Sequence, residues 1–266
     1  MKIQGPLCAL AHSHARTARA DCGFGLAVVA TVPESLLASA QNHLIELLPR
    51  TARQRLLALC EPVPLRLSKI LCEPGTPIKH VYFPTEGFIS LVAVRDADAA
   101  LEVGMVGREG MLGAHLALGV ITVPLRALVQ GAGQSLRIGT GPFRDELARS
   151  AALQKVLHRY LYVLMAQLSA AAACLRFHQI GPRLARWLLM SQDRAQADQF
   201  RVTHEFLAYM LGVRRVGVTA AAGGLQRSGL IEYRRGHLTV LDRAGLEAAA
   251  CGCYAADRQA YRELLD

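Results

Sequence analysis

Residues 203–242 read THEFLAYMLGVRRVGVTAAAGGLQRSGLIEYRRGHLTVLD. Counted from His204, apolar or small residues fall at Leu207, Ala208, Leu211, Val213, Val218 and Ala221, with Gly212 between two helical stretches. Two helices that cross steeply bury one stripe each, and the turn between them wants a residue tolerant of positive φ. Thr203 supplies an N-cap, and Glu205 sits near the positive end of the first helix. Tyr233–Val240 follows as a strand, a glycine-containing turn and a second strand. The segment predicts a winged helix-turn-helix, a unit that lays its second helix in the DNA major groove with its N-terminal residues foremost.

In that frame the second helix begins near Arg214, so Arg214, Arg215, Thr219 and Ala220 project outward while Val218, Ala221 and Leu225 pack inward. An arginine can hold guanine O6 and N7 bidentately, worth about 1–3 kcal/mol of discrimination. Arg215 is the expected base reader and Arg214 a phosphate or base-edge contact. Val216 suits a thymine methyl and Thr219 a phosphate, and Thr203 is a further DNA-binding candidate. Arg234 and Arg235 at the wing suit minor-groove-edge or phosphate contacts, which set register without reading sequence, and His237 beside them is a further DNA-binding candidate. The bland alternative is a solvated, charged helix start. From Gln179 to Arg243 there are ten arginines against five acids, so positive charge concentrates here. Gly223-Gly224 breaks the pattern, at about 1 kcal/mol per glycine in a helix interior. Either the helix packs closely there, or it is weak and orders on DNA.

The chain of 266 residues is 52% hydrophobic and 19% charged, the composition of a folded protein with one large or two modest cores. Its net charge of +9 favours an anionic partner, nucleic acid first. Seven cysteines in no evident disulfide framework point to a reducing, cytoplasmic setting. Counted as uninterrupted apolar runs, no segment reaches the roughly 18–20 residues of a bilayer span, so no membrane partner is expected. Residues 1–40 read as an arm. Their short apolar patch, Leu26–Val32, lacks a small-residue cleavage site behind it.

Upstream of the motif the period changes twice. Two helical stretches in residues 41–60 precede short apolar segments at Val63–Leu67, Ile70–Cys72, Val81–Phe83, Phe88–Val94, Leu101–Met105, Leu125–Val129 and Ser135–Ile138. Turn residues such as Pro74-Gly75 separate them, which predicts an antiparallel sandwich or barrel. Pro142 opens a short helix, and a long one follows over Ala151–Phe177. Within it Leu157, Leu161, Leu164, Leu168, Ala171 and Leu175 recur four and three residues apart, the spacing of a coiled-coil seam between two copies. The alternative is a helix packed on its own domain. Another helix covers Pro182–Asp193 with Trp187 as a core anchor, and Ala244–Ala250 and Ala255–Leu265 close the chain. The reading is α+β: an arm (1–40), a β-barrel (41–145), a dimerisation helix (146–178) and a winged helix-turn-helix domain (179–266).

Leu211-Gly212-Val213-Arg214-Arg215 and Arg235-Gly236-His237-Leu238-Thr239-Val240-Leu241-Asp242-Arg243 resemble the Crp/Fnr family of bacterial transcription regulators. Pro74-Gly75, His80-Val81-Tyr82-Phe83-Pro84 and Val106-Gly107-Arg108-Glu109-Gly110 resemble one of its branches. The resemblance covers about Gln41–Leu265. It implies a jelly-roll sensor of the cyclic-nucleotide-binding type and a homodimer on a near-palindromic operator. An unidentified small-molecule effector, and RNA polymerase as a further partner, are also implied, whether the protein activates or represses. Gly107, Glu109, Gly110 and Arg126 are the corresponding effector-pocket candidates. Arg126 lacks the hydroxyl neighbour that the family's cyclic-nucleotide binders place beside their arginine, so cyclic AMP is disfavoured. Val216 stands where the family usually has glutamate, and valine cannot accept from cytosine N4 as glutamate does, so an altered operator is expected.

No nucleophile elbow, Walker loop, zinc-protease motif or dinucleotide glycine pattern occurs, which argues against an enzyme. Gly107-Arg-Glu-Gly110-Met-Leu-Gly113 has the glycines of a phosphate loop but no lysine. A ligand-independent module, bound constitutively to DNA or to a protein partner, is the second reading. No cofactor is expected. Cys8, Cys22, Cys60 and Cys72 are too dispersed for an iron–sulfur cluster, and His80 or His115, available as haem ligands, read as structural. Cys251-Gly-Cys253 offers only half a tetrahedral metal set and reads as packing.

Overall fold

The computed structural model describes residues 42–96 and 99–265. The proposed arm, with Cys8 and Cys22, lies outside the described residues. Two short helices, α1 (His43–Glu46) and α2 (Arg50–Ala58), lead into seven strands. These are β1 (Glu61–Leu65), β2 (Ile70–Cys72), β3 (His80–Pro84), β4 (Phe88–Asp96), β5 (Ala99–Val106), β6 (Arg126–Gly131) and β7 (Gly133–Gly139). They form a three-stranded sheet in the order β1-β7-β3 and a four-stranded sheet in the order β2-β6-β4-β5, with antiparallel pairing throughout. The non-sequential order is that of a jelly-roll type sandwich. Period-two side chains from both sheets, including Val81, Phe83, Ile138, Ile89 and Val129, meet in one core. Each large apolar side chain buried there contributes about 1.5–3 kcal/mol.

Helix α3 (Thr140–Arg149) packs beneath the sheets through Phe143, and α4 (Ala151–Phe177) runs across them. Ser150 caps α4 by accepting from the Leu153 amide at 3.3 Å, and the helix stops at His178, whose backbone is extended. At ~1.5 Å per residue its 27 residues span about 40 Å. By length and a mean hydropathy of 1.3 it is apolar enough to cross a membrane, a property that counting uninterrupted runs overlooks. One face is already occupied, however: Leu157, Tyr160 and Val163 belong to the sandwich core.

The seam frame expected from sequence needs correction at this helix. Leu157 is 0% exposed and Ala171 8% exposed, both turned into the protomer, and Leu161 and Leu164 pack partly against the same core. Of the six predicted positions, only Leu168 and Leu175 are exposed. Tyr162, Met165 and Phe177 are exposed beside them. The outward 4-3-4-3 stripe is Leu161, Met165, Leu168, Ala172 and Leu175. Two overlapping stripes share this helix, and spacing alone could not separate them.

The C-terminal part builds a second core. Helix α5 (Ile180–Ala195) presents Leu184, Trp187 and Leu188 to α6 (His204–Leu211), α7 (Arg215–Arg227) and α8 (Arg243–Ala249). A three-stranded sheet in the order β8-β10-β9 forms from Gln199–Arg201, His237–Val240 and Ile231–Arg234. Phe88 and Met105 of the sandwich belong to this core as well. Helix α9 (Cys253–Leu265) then returns along α4, and Leu265 is buried in the first core.

Candidate nucleic-acid interface

The reading unit is assembled from local signals. Thr203 accepts from the Phe206 amide at 3.1 Å and starts α6, and Gly212 ends it at φ +61°. Arg183 of α5, itself buried, donates to the Leu211 carbonyl at the same end. A guanidinium there satisfies an orphan carbonyl and the negative pole of the helix. Arg214 occupies the N-cap position and α7 starts at Arg215, one residue later than the sequence frame. Val218, Ala222 and Leu225 are buried on α7, so the inward stripe uses Ala222 where Ala221 was expected. Ala221 packs partly against the same core.

Along the outer face Arg214, Arg215, Val216, Thr219 and Ala220 are all exposed, Val216 at 72%. The Thr219 hydroxyl is committed within the motif, however. It donates to the Arg215 carbonyl at 3.1 Å and lies 3.0 Å from His204 Nδ1. His204 stacks on Tyr233 of the wing at 4.3 Å, and the Tyr233 hydroxyl donates to the Val202 carbonyl. Burial, and then the charge of Arg215, hold the His204 ring below its usual pKa. Wing and recognition helix are thereby joined through one imidazole.

The hairpin tip is Arg235-Gly236, with φ of +49° and +83°, the two positive values of a type I′ turn. Arginine in the left-handed region is strained by about 1 kcal/mol. Arg234 and His237 flank it, both exposed, and Arg234 also pairs with Glu232 at 3.1 Å. Gly223 and Gly224 have no close-packing reason. A Cβ at Gly224 would meet nothing within 4 Å, and one at Gly223 only the end of Arg227 at 3.3 Å. Gly217 is the more closely packed glycine of this helix, where a Cβ would come within 2.6 Å of the tip of the Ile180 side chain.

Positive charge divides into two populations. Arg201, Arg214, Arg215, Arg227, Arg234 and Arg235 are exposed. Arg183, Arg186, Arg194 and Arg243 are spent inside the protein: Arg186 pairs with Asp257 at 2.6 Å, Arg194 with Glu109 at 2.8 Å and Arg243 with Asp193 at 2.7 Å. Sequence reasoning counted all ten alike. For Arg183, Arg186 and Arg194 the available signal was their placement among the inward leucines of α5.

The expected effector residues do not converge on one cavity. Glu109 accepts from Arg194 and from the Gly107 amide at 3.1 Å, tying the turn after β5 to α5. Cβ atoms at Gly107 and Gly110 would collide with Arg194 and the Tyr160 ring, so these glycines serve close packing. Arg126 pairs with Glu73 at 2.9 Å. A cavity of about 210 Å³ lies between the sandwich and α4 and includes none of the four among its lining residues. Met111, Leu112, Val123, Leu125, Leu161 and Leu164 supply its apolar wall, and His115 is its one titratable side chain. Burial keeps His115 below the ordinary histidine pKa, and its Nε2 has no hydrogen-bond partner among the described residues.

Sensor and reader also meet at Leu101 of β5, which packs against the Gly212 turn, and at neighbouring Glu102. Burial pushes the Glu102 carboxyl up to about 7, against a 2.5 Å hydrogen bond from Ser90 and the charges of Arg194 and Arg186. Its folded pKa exceeds the ordinary 4.5, so its stabilising contribution is complete below pH 4.5 and is lost as pH rises through 7. Glu102→Gln should remove this dependence. Denaturant unfolding at pH 5 and pH 8 is expected to show the variant gaining on the parent by on the order of 2–3 kcal/mol at the higher pH. An unchanged difference between the two pH values would refute it.

A jelly-roll sandwich joined to a winged helix-turn-helix with arginines on its recognition helix defines a DNA-binding regulator. Residues 182–249 match the Crp-like helix-turn-helix domain, and over most of the chain the fold is shared with solved regulators of the Crp/Fnr family. Similar solved structures include a Crp/Fnr-family regulator from Thermus thermophilus, at 25% identity and a TM-score of 0.60, covering 71% of this chain and 98% of that one. A Crp/Fnr-family regulator from Eubacterium rectale is 15% identical at a TM-score of 0.61, covering 76% and 94%. The c-di-GMP-responsive regulator CLP of Xanthomonas campestris is 20% identical at a TM-score of 0.60, covering 73% and 100%. No curated protein matches the sequence significantly.

Proposed function

We propose that the protein is a cytoplasmic, homodimeric regulator that reads a near-palindromic operator through Arg215 and Val216. In this reading Arg214, Ala220, Thr203, Arg234, Arg235 and His237 line the DNA, with the charged members on phosphates. The observation that carries it is the outer face of α7, where two arginines and a 72% exposed valine precede a buried apolar stripe. The outward stripe of α4 supplies the second copy, which spaces two reading helices one turn of DNA apart. RNA polymerase is a partner of the bound dimer.

The apolar cavity beside α4 favours a small, uncharged effector over a cyclic nucleotide, because no cationic side chain lines it for a phosphate. A second reading, constitutive binding, is favoured by the Glu109–Arg194 pair, which already joins sensor to reader. One experiment addresses both. The protein is titrated without added small molecule against promoter duplexes from its own genome at two salt concentrations. Sequence-specific binding should weaken with a log–log slope reflecting several phosphate contacts. Full specific affinity in this unliganded state supports the constitutive reading, weak binding supports an effector, and no binding to any fragment refutes both.

A further inference from the structure

The Cys-Gly-Cys turn, half a metal set by itself, finds its other half on the dimerisation helix. Cys174 lies in the last turn of α4 and His178 at its C-cap, four residues on, so the two fall on one face. Cys251 and Cys253 flank Gly252 between α8 and α9. The Sγ atoms of Cys174 and Cys251 are 3.5 Å apart, and Cys253 Sγ is 3.6 Å from His178 Nδ1. One ligand atom from each of the four residues lies within 4.8 Å of all the others.

We propose that Cys174, His178, Cys251 and Cys253 bind one Zn²⁺ ion that clips the C-terminal end of α4 to the α8–α9 turn. With Zn–S of about 2.3 Å and Zn–N of about 2.0–2.1 Å, a regular tetrahedron has S···S edges of about 3.8 Å and S···N edges of about 3.6 Å. The Cys174–Cys251 and Cys253–His178 pairs stand within a few tenths of an ångström of those edges, before any adjustment around an ion. Three thiolates and an imidazole are the soft, closed set of a structural zinc site, with no position left for water. Cys253 is the first residue of the 13-residue α9. Three thiolates around Zn²⁺ leave one net negative charge, and Arg183 and Arg186 of α5 lie close enough for their charges to act on both Cys174 and Cys251. Zn²⁺ displaces the thiol protons on binding and undergoes no redox change.

The placement gives the site its consequence. His178 is where α4 ends and the chain turns into α5, so the ion would pin the hinge between the dimerisation helix and the DNA-reading domain. The inference does not depend on which operator is read, or on whether DNA is bound at all.

The test uses the full-length protein, purified with reductant from zinc-supplemented cells. Elemental analysis after desalting should find one zinc per chain. Co²⁺ added to chelator-stripped protein should give a thiolate-to-metal charge-transfer band and the intense visible bands of a tetrahedral complex. Cys253→Ser and His178→Ala should each weaken Co²⁺ binding at least tenfold while leaving the far-ultraviolet circular dichroism of the stripped protein unchanged. Wild-type protein that retains no zinc and shows no charge-transfer band with Co²⁺ overturns the proposal. So does a cobalt spectrum unaltered in both variants, or a Cys174–Cys251 disulfide that persists under reductant and excludes the metal.

Discussion

Met165→Glu is expected to turn the proposed dimer into a monomer and to lower affinity for a two-half-site operator by on the order of 100-fold or more. Met165 is 64% exposed on α4, the second position of the outward stripe that runs from Leu161 to Leu175. A two-fold interface repeats every contact, so the substitution removes two buried methionines, each worth about 1.5–3 kcal/mol. It also brings two carboxylates to the axis, where burial without partners costs several kcal/mol. With one reader per molecule the second half-site no longer binds intramolecularly, which is the source of the loss. Light scattering gives the mass, and a gel-shift titration gives the affinity. A dimer with undiminished affinity would sink the shifted seam. Leu157→Ala is the informative contrast. Leu157 belongs to the sandwich core, so its truncation should cost about 2–5 kcal/mol of fold stability, with the outward stripe intact.

Arg215→Ala should cost about 1–3 kcal/mol of operator binding and relax preference at one base position. Arg215 is the first residue of α7, exposed, and without an ion-pair partner among the described residues. Alanine is at least as good a helix former, so thermal stability should hold and the loss can be ascribed to the DNA contact. Affinities measured on duplexes substituted one position at a time distinguish the roles. A uniform loss across all duplexes would make Arg215 a phosphate contact and transfer base reading to Arg214 or Val216.

Much of this was legible because it is local. The bounds of α4 came out at Ala151–Phe177, as its periodicity predicts. Thr203, Gly212 and Arg235-Gly236 announce a cap, a helix end and a tight hairpin through preferences that act within a few residues. The reader's exposed arginines could be placed because an amphipathic helix sorts its faces by spacing.

What the sequence determined by itself is therefore the type and succession of most elements, though not the strand Gln199–Arg201 that widens the wing, and the family to which that succession points. What only the tertiary structure decided is which of several equivalent side chains meet. It turned Leu157 and Ala171 inward and Met165 and Ala172 outward, because helical spacing leaves two stripes and the sandwich occupies one of them. It spent Glu109 on Arg194, which lies 85 residues away, leaving the cavity beside α4 apolar. It also brought Cys174 within 3.5 Å of Cys251 across 77 residues, completing a quartet of which the sequence displays two adjacent halves far apart. Local preference acts through backbone geometry over one or two turns. Contacts between distant segments depend on how whole helices and sheets pack, and no spacing along the chain encodes them directly.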